Sequence, residues 1–169
     1  MANTYVAIAT VTVGSGGASS IDFTSIPGTY TDLCVLISTR CSSTDSDIRI
    51  TLNTSGGTYT LRKLLGDGTS AGSYTGSNEL LRNNPSGSTA SIFTNSMLYI
   101  PNYTSSNAKS LSGDSVAENN ATGNAVVQIS AGNWTGTATI TSIKIDSASG
   151  PTQTLVQYSS ATLYGIKNS

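Results

Sequence analysis

The amino-acid sequence predicts an all-β chain, and three observations carry that prediction. Apolar residues recur with period two along most of its length, as they must where successive side chains point to opposite faces of a strand. Clusters of Gly, Pro, Asn, Ser and Thr break these runs at about the 8-to-12-residue spacing of a sandwich or barrel. No amphipathic helix of useful length is legible, and only NELLR, residues 78–82, could form a helical turn. About ten strands result. At 169 residues the chain is expected to be one domain, long enough to bury a core without disulfide or metal staples.

Taken in order, TYVAIATVTV (4–13) is apolar on both sides but built of small residues. GSGG (14–17) has neither the following helix nor the Lys of a phosphate loop and reads as a hairpin connection. SSIDFT (19–24) is the next strand. In the stretch that follows, Pro27 presets φ and Gly28 tolerates positive φ, the signature of a type II turn. Ile26, forced extended by the proline, ends the strand before it. TDLCVLIST (31–39) sets Leu33, Val35 and Ile37 against Cys34 and Leu36, so both faces are expected to be buried, in mid-sheet or under a partner. DIRITLN (47–53) has one dry face, Ile48, Ile50 and Leu52, and one wet face.

Further strands are expected in GTYTLRKLL (57–65), STASIFTNSMLYI (88–100), AKSLSGDSVAE (108–118), NAVVQIS (124–130), TATITSIKID (137–146) and SATLYGI (160–166). In TATITSIKID the apolar side switches between Ile140 and the pair Ile143 and Ile145, which a bulge near Ser142 would reconcile. In SATLYGI, Ala161 and Leu163 oppose Tyr164 and Ile166, again apolar on both sides. Residues 66–90 form the longest loop-like region, the kind of segment that carries function or contacts partners.

Composition narrows the chemistry. Charged residues make up 10% of the chain, net charge −1, and Ser and Thr supply almost a third of it; soluble domains average about 25% charged. Solubility therefore comes from hydroxyls and amides. The eight basic residues are scattered, which argues against nucleic acid. No run of 18 apolar residues exists to span a membrane as a helix, and the first residues lack the positive segment of a secretory signal. Cys34 and Cys41 lie an odd seven residues apart, on opposite faces of an unbroken strand, and are expected to be free thiols, one of them buried. A bridge would require a bend.

There is no histidine, which removes Ser-His-Asp and Cys-His catalysis and the commonest general base near neutral pH. The nine carboxylates show no pairing. Asp45 and Asp47 are the nearest approach to a cation site of the calcium type, but they lack the glycine and downstream glutamate of an EF-hand loop, and a solvated turn is expected. No catalytic, cofactor-binding or metal-binding residue is assigned. Aromatic residues are the one feature leaning toward binding. Tyr99 and Tyr103 flank the IPN turn at 100–102, and Trp134 sits in GNWTG; these three form the candidate interaction surface. The competing reading makes Trp134 a plug at the open end of a sandwich.

Three stretches taken together, MANTYVAIATVTVGS, IDFTSIPGTYTDLCVLISTR and SSATLYGI, resemble small β-rich virion proteins of tailed phages, notably those of cyanobacteria and other aquatic bacteria. The likeness covers both ends of the chain and little of residues 55–135. It implies an antiparallel, jelly-roll-like β-sandwich on the particle surface. The leading expectation that goes with it is a non-enzymatic structural role without cofactors, as a capsid decoration or cement protein bound to the major capsid protein and to copies of itself, with a trimer as the geometry expected first. The alternative it implies is a tail- or head-fibre module gripping host-surface glycans through loop Tyr and Trp. Assembly in the host cytoplasm fits the missing secretory start and the unpaired cysteines.

Overall fold

The computed structural model describes residues 4–44, 46–54, 56–118, 125–150 and 152–167. In chain order its strands are β1 (Thr4–Thr12), β2 (Ser20–Phe23), β3 (Asp32–Ser38), β4 (Asp47–Leu52), β5 (Tyr59–Gly66) and β6 (Ala71–Gly76). They continue as β7 (Leu81–Arg82), β8 (Asn95–Ile100), β9 (Lys109–Ala117), β10 (Val126–Trp134), β11 (Ile143–Ser147) and β12 (Ser160–Lys167). Among the described residues there is no helix. Eight strands form one sheet in the order β1-β12-β3-β8-β9-β10-β5-β6, and four form another, β2-β11-β4-β7. Paired strands are antiparallel throughout. The chain is an all-β antiparallel sandwich.

The core lies between the sheets. Ile48, Ile50 and Leu52 of β4 and Ile143 and Ile145 of β11 face Leu33, Val35 and Ile37 of β3 and Leu98 and Ile100 of β8, all within 3% of full burial. Alternation in DIRITLN is as expected, with a burial pattern that changes at every residue. β3 lies inside the larger sheet, between β12 and β8. Its second face departs from expectation: Cys34 is buried but Leu36 is 46% exposed.

Residues 66–90 are not one loop. Asp67 accepts the Thr69 and Ser70 amides at 2.9 and 2.7 Å, an Asx turn that closes a β5–β6 hairpin. These donors hold its carboxyl well below the usual carboxylate range. NELLR contains no helical turn; Leu81 and Arg82 form β7 against β4. Leu80 and Leu81 are both fully buried because β9 and β10 carry glycines beneath them. A Cβ on Gly113 would sit 2.7 Å from Leu81 Cδ2, and one on Gly132 would sit 2.9 Å from Leu80 Cδ2. The added strands β6 and β7 account for twelve where ten were expected.

Three other expectations are corrected, and β1 takes a position the sequence had left open. The GSGG segment joins β1 of one sheet to β2 of the other and so is no hairpin connection. β1 is a largely exposed edge strand, protected by a bulge between Ala7 and Ala9. Gly28 does not take positive φ; Ser25 does, at 55°. The Pro27 turn is held instead by the Tyr103 phenol, which donates to the Pro27 carbonyl and accepts the Tyr30 amide at 3.4 Å. Finally, β11 begins only at Ile143, so Ile140 changes sides without a bulge. Asn53 takes over there. Its Oδ1 accepts the Thr141 and Ser142 amides, and its Nδ2 donates to the Thr139 carbonyl, replacing ladder bonds with side-chain bonds.

Candidate interaction surface

The three aromatics separate in space. Tyr103 is fully buried at the Pro27 turn. Trp134 ends β10 on its inner face, 1% exposed, with its indole between two backbone segments. A Cβ on Gly57 would lie 2.3 Å from the indole nitrogen, and one on Gly136 would lie 2.2 Å from Cζ2. Lys109 stands 5.8 Å from the ring centroid and donates to the Ser105 and Asn107 carbonyls at 2.9 and 2.5 Å. Burial lowers the pKa of this ammonium, while the carbonyls and the ring face offset the cost of desolvating it. Trp134 is therefore a plug, and neither it nor Tyr103 is an exposed anchor. Only Tyr99 reaches an outer surface. Its hydroxyl donates to Asp32 at 2.8 Å, a bond to a carboxylate that pushes the phenol up to about 12.

Both cysteines are free and buried. Burial, with the Asp114 carboxylate nearby, pushes the Cys34 thiol up, the opposite of what a nucleophile needs. Asp47 accepts Lys63 and Arg82 at 3.2 and 3.0 Å, so its carboxylate serves ion pairs. Asp45 lies outside the described residues. No cluster of three potential metal ligands occurs among the described residues.

The two outer surfaces of the sandwich differ sharply. The small sheet turns outward a charged set: Arg49 grips Asp146 through Nε at 2.9 Å and Nη2 at 2.7 Å, with Lys144 Nζ at 3.0 Å. The large sheet turns outward apolar side chains. Register places Leu36, Met97, Asp114, Ile129, Leu64 and Ser73 side by side in one row across six strands. Beside it, Val116 faces Val127 on neighbouring strands. Tyr5 and Tyr164 meet edge to face at 6.1 Å at the far end. Among the described residues, seven of the ten large apolar side chains left exposed lie on this one face, Ile129 at 65% and Leu64 at 63% being the most open. A shallow groove beside them is walled by Val127, Gly66 and Ala71.

Contiguous exposed apolar side chains are, in proteins at large, a mark of contact surfaces. Periodicity did not reveal it because β10 is inverted. Gln128 and Ser130 point inward at 1% exposure, while Val127 and Ile129 point out. The inward polar groups are partly occupied: Gln128 Nε2 donates to the Leu80 carbonyl at 2.9 Å and Ser115 Oγ accepts the Arg82 amide at 3.0 Å, while Gln128 Oε1 is buried without a partner among the described residues. They satisfy β7, a strand too short to satisfy itself.

No protein-family model matches the chain, and no curated protein or solved structure is detectably similar to it.

Proposed function

We propose that this chain is a non-enzymatic structural protein of a tailed-phage particle, a capsid decoration or cement protein that adheres through the outer face of its eight-stranded sheet. The observation that carries the reading is the contrast between the two outer surfaces: one charged and self-paired, one apolar and open. Adhesion through such a face releases water from apolar area, a gain that needs no matched charge on the neighbour. The weakly charged, hydroxyl-rich surface elsewhere permits close packing of many copies without like-charge repulsion. The resemblance of both chain ends to small virion proteins supplies the setting, a jelly-roll-like unit on the particle surface contacting the major capsid protein. The fibre alternative, with host glycans stacked on loop aromatics, loses its anchors because Tyr103 and Trp134 are buried.

The test is cosedimentation of the purified protein with expanded heads of the particle it comes from. Saturable binding is expected, lost when Ile129→Glu and Leu36→Glu are combined. Heads that take up none of the protein, and particles without it that resist heat and osmotic shock equally well, would end this proposal.

A further inference from the structure

We infer that part of the open apolar face is covered by a second copy of this chain, stacked face to face about a two-fold axis that runs along β10. The inference rests on the face being a contact surface, as proposed above, and names its occupant. Two observations select a second copy.

The first is charge. The face is nearly uncharged, but Asp114 on β9 and Arg62 on β5 both point outward and are exposed. Among the described residues neither makes an ion pair within the chain. β9 and β5 flank β10 on its two sides. Rotation about an in-plane axis along β10 therefore exchanges them, laying β9 of one copy over β5 of the other. Asp114 and Leu64 are both level with Ile129, and Arg62 lies two residues further along β5. That is about 7 Å, a step a guanidinium side chain spans. One rotation thus brings Asp114 to the partner's Arg62 and Arg62 to the partner's Asp114, while Ile129 meets its own copy. A patch that complements itself in this way is the mark of an isologous contact. A three-fold grouping, the geometry expected from the sequence reading, would need two different complementary patches.

The second is area. The axis overlaps β8, β9, β10, β5 and β6 of both copies. Five strands about 4.8 Å apart and roughly 20 to 30 Å long cover roughly 500 to 700 Å² a side. Specific, stable interfaces begin near about 600 Å² per partner. The overlap takes in Ile129, Leu64, Val127, Val116 and Met97 and leaves Leu36 and Tyr5, beyond β8, uncovered.

The experiment is sedimentation equilibrium of the full chain from about 5 to 200 μM, a range that brackets micromolar association. A species of twice 17.3 kDa is expected. Ile129→Glu should give the 17.3 kDa monomer with an unchanged circular dichroism spectrum, because the side chain is exposed, and a melting point lower only by what dimerisation contributes to the wild type. Leu36→Glu, outside the overlap, should leave the dimer intact. Asp114→Arg and Arg62→Asp should each raise Kd at least about tenfold, and the double exchange should restore it. A wild-type monomer across the range, a trimer, a dimer indifferent to Ile129→Glu, or an exchange that fails to restore association would each overturn the inference. A dimer that ignores phage heads leaves it standing and defeats the particle role. A monomer that binds heads does the reverse.

Discussion

Replacing Trp134 with alanine separates a core role from a binding role. The indole is 1% exposed and closed in by the backbones at Gly57 and Gly136. Burying a side chain of this size removes about 200 Å² from water, worth about 5 kcal/mol at the usual coefficient. Main chain on both sides limits collapse into the space left behind, so the loss should reach at least the middle of the measured range for such truncations, about 4 kcal/mol. The Lys109 ammonium also loses its ring face. For a chain of this length about 4 kcal/mol corresponds to a melting point lower by about 8 to 16 °C. In urea it corresponds to a midpoint lower by roughly 2 M with unchanged slope. Far-UV circular dichroism is the appropriate probe, since the variant has no tryptophan to follow by fluorescence. Gly136→Ala should act in the same direction by about 1 to 3 kcal/mol, because its new methyl overlaps the ring. A Trp134→Ala protein within about 1 kcal/mol of wild type, well below the truncation range, would refute the plug.

Three further outcomes are expected. Arg40 donates to the carbonyls of Thr89, Ser88, Ser86 and Ile92, at 2.9, 3.0, 3.2 and 3.4 Å. Both Arg40→Ala and Arg40→Lys should therefore destabilise the protein by about 2 to 4 kcal/mol and open residues 85–94 to proteases, since an ammonium cannot span the four acceptors; a lysine variant of wild-type stability would contradict this. Tyr99, held protonated by its bond to Asp32, should be the last phenol to ionise at 295 nm, near about 12. Because its folded pKa lies above the unfolded value of about 10, its contribution is complete below pH 10 and is lost as pH rises toward 12, a loss that Asp32→Asn should remove. Cys34 and Cys41, both buried, should be inert to Ellman's reagent at pH 8 until the protein is unfolded; rapid reaction of either in the native state would place a thiol at the surface.

Much of the fold was legible because strands are written locally. The dry face of β4, the position of β3 inside a sheet and the free cysteines all follow from a two-residue period and a spacing. The hairpin at Asp67 was legible in principle, since GDGTS holds an Asx-turn acceptor and a glycine with φ of +87°, but polar composition hid it. The turn at Pro27 was misread for a different reason. Tyr103, some 76 residues away, supplies the donor and acceptor that a type II turn would have drawn from its own backbone. Trp134 stood next to glycines in GNWTG, a context that suggests a loop tip; one of them, Gly136, together with the distant Gly57, instead leaves the room that lets an indole be enclosed.

The sequence by itself determined that this chain forms antiparallel strands, lacks histidine chemistry and has little charge with which to attract a partner. Only the tertiary structure decided which face of each strand looks inward. Alternation assigns residues to two sides but is silent about which side meets the second sheet. In β10 the polar side turned in, because Gln128 satisfies the backbone at Leu80 and Gly132 makes room for Leu80 itself. Ile129 and Val127 were thereby turned outward, onto the exposed face of the eight-stranded sheet.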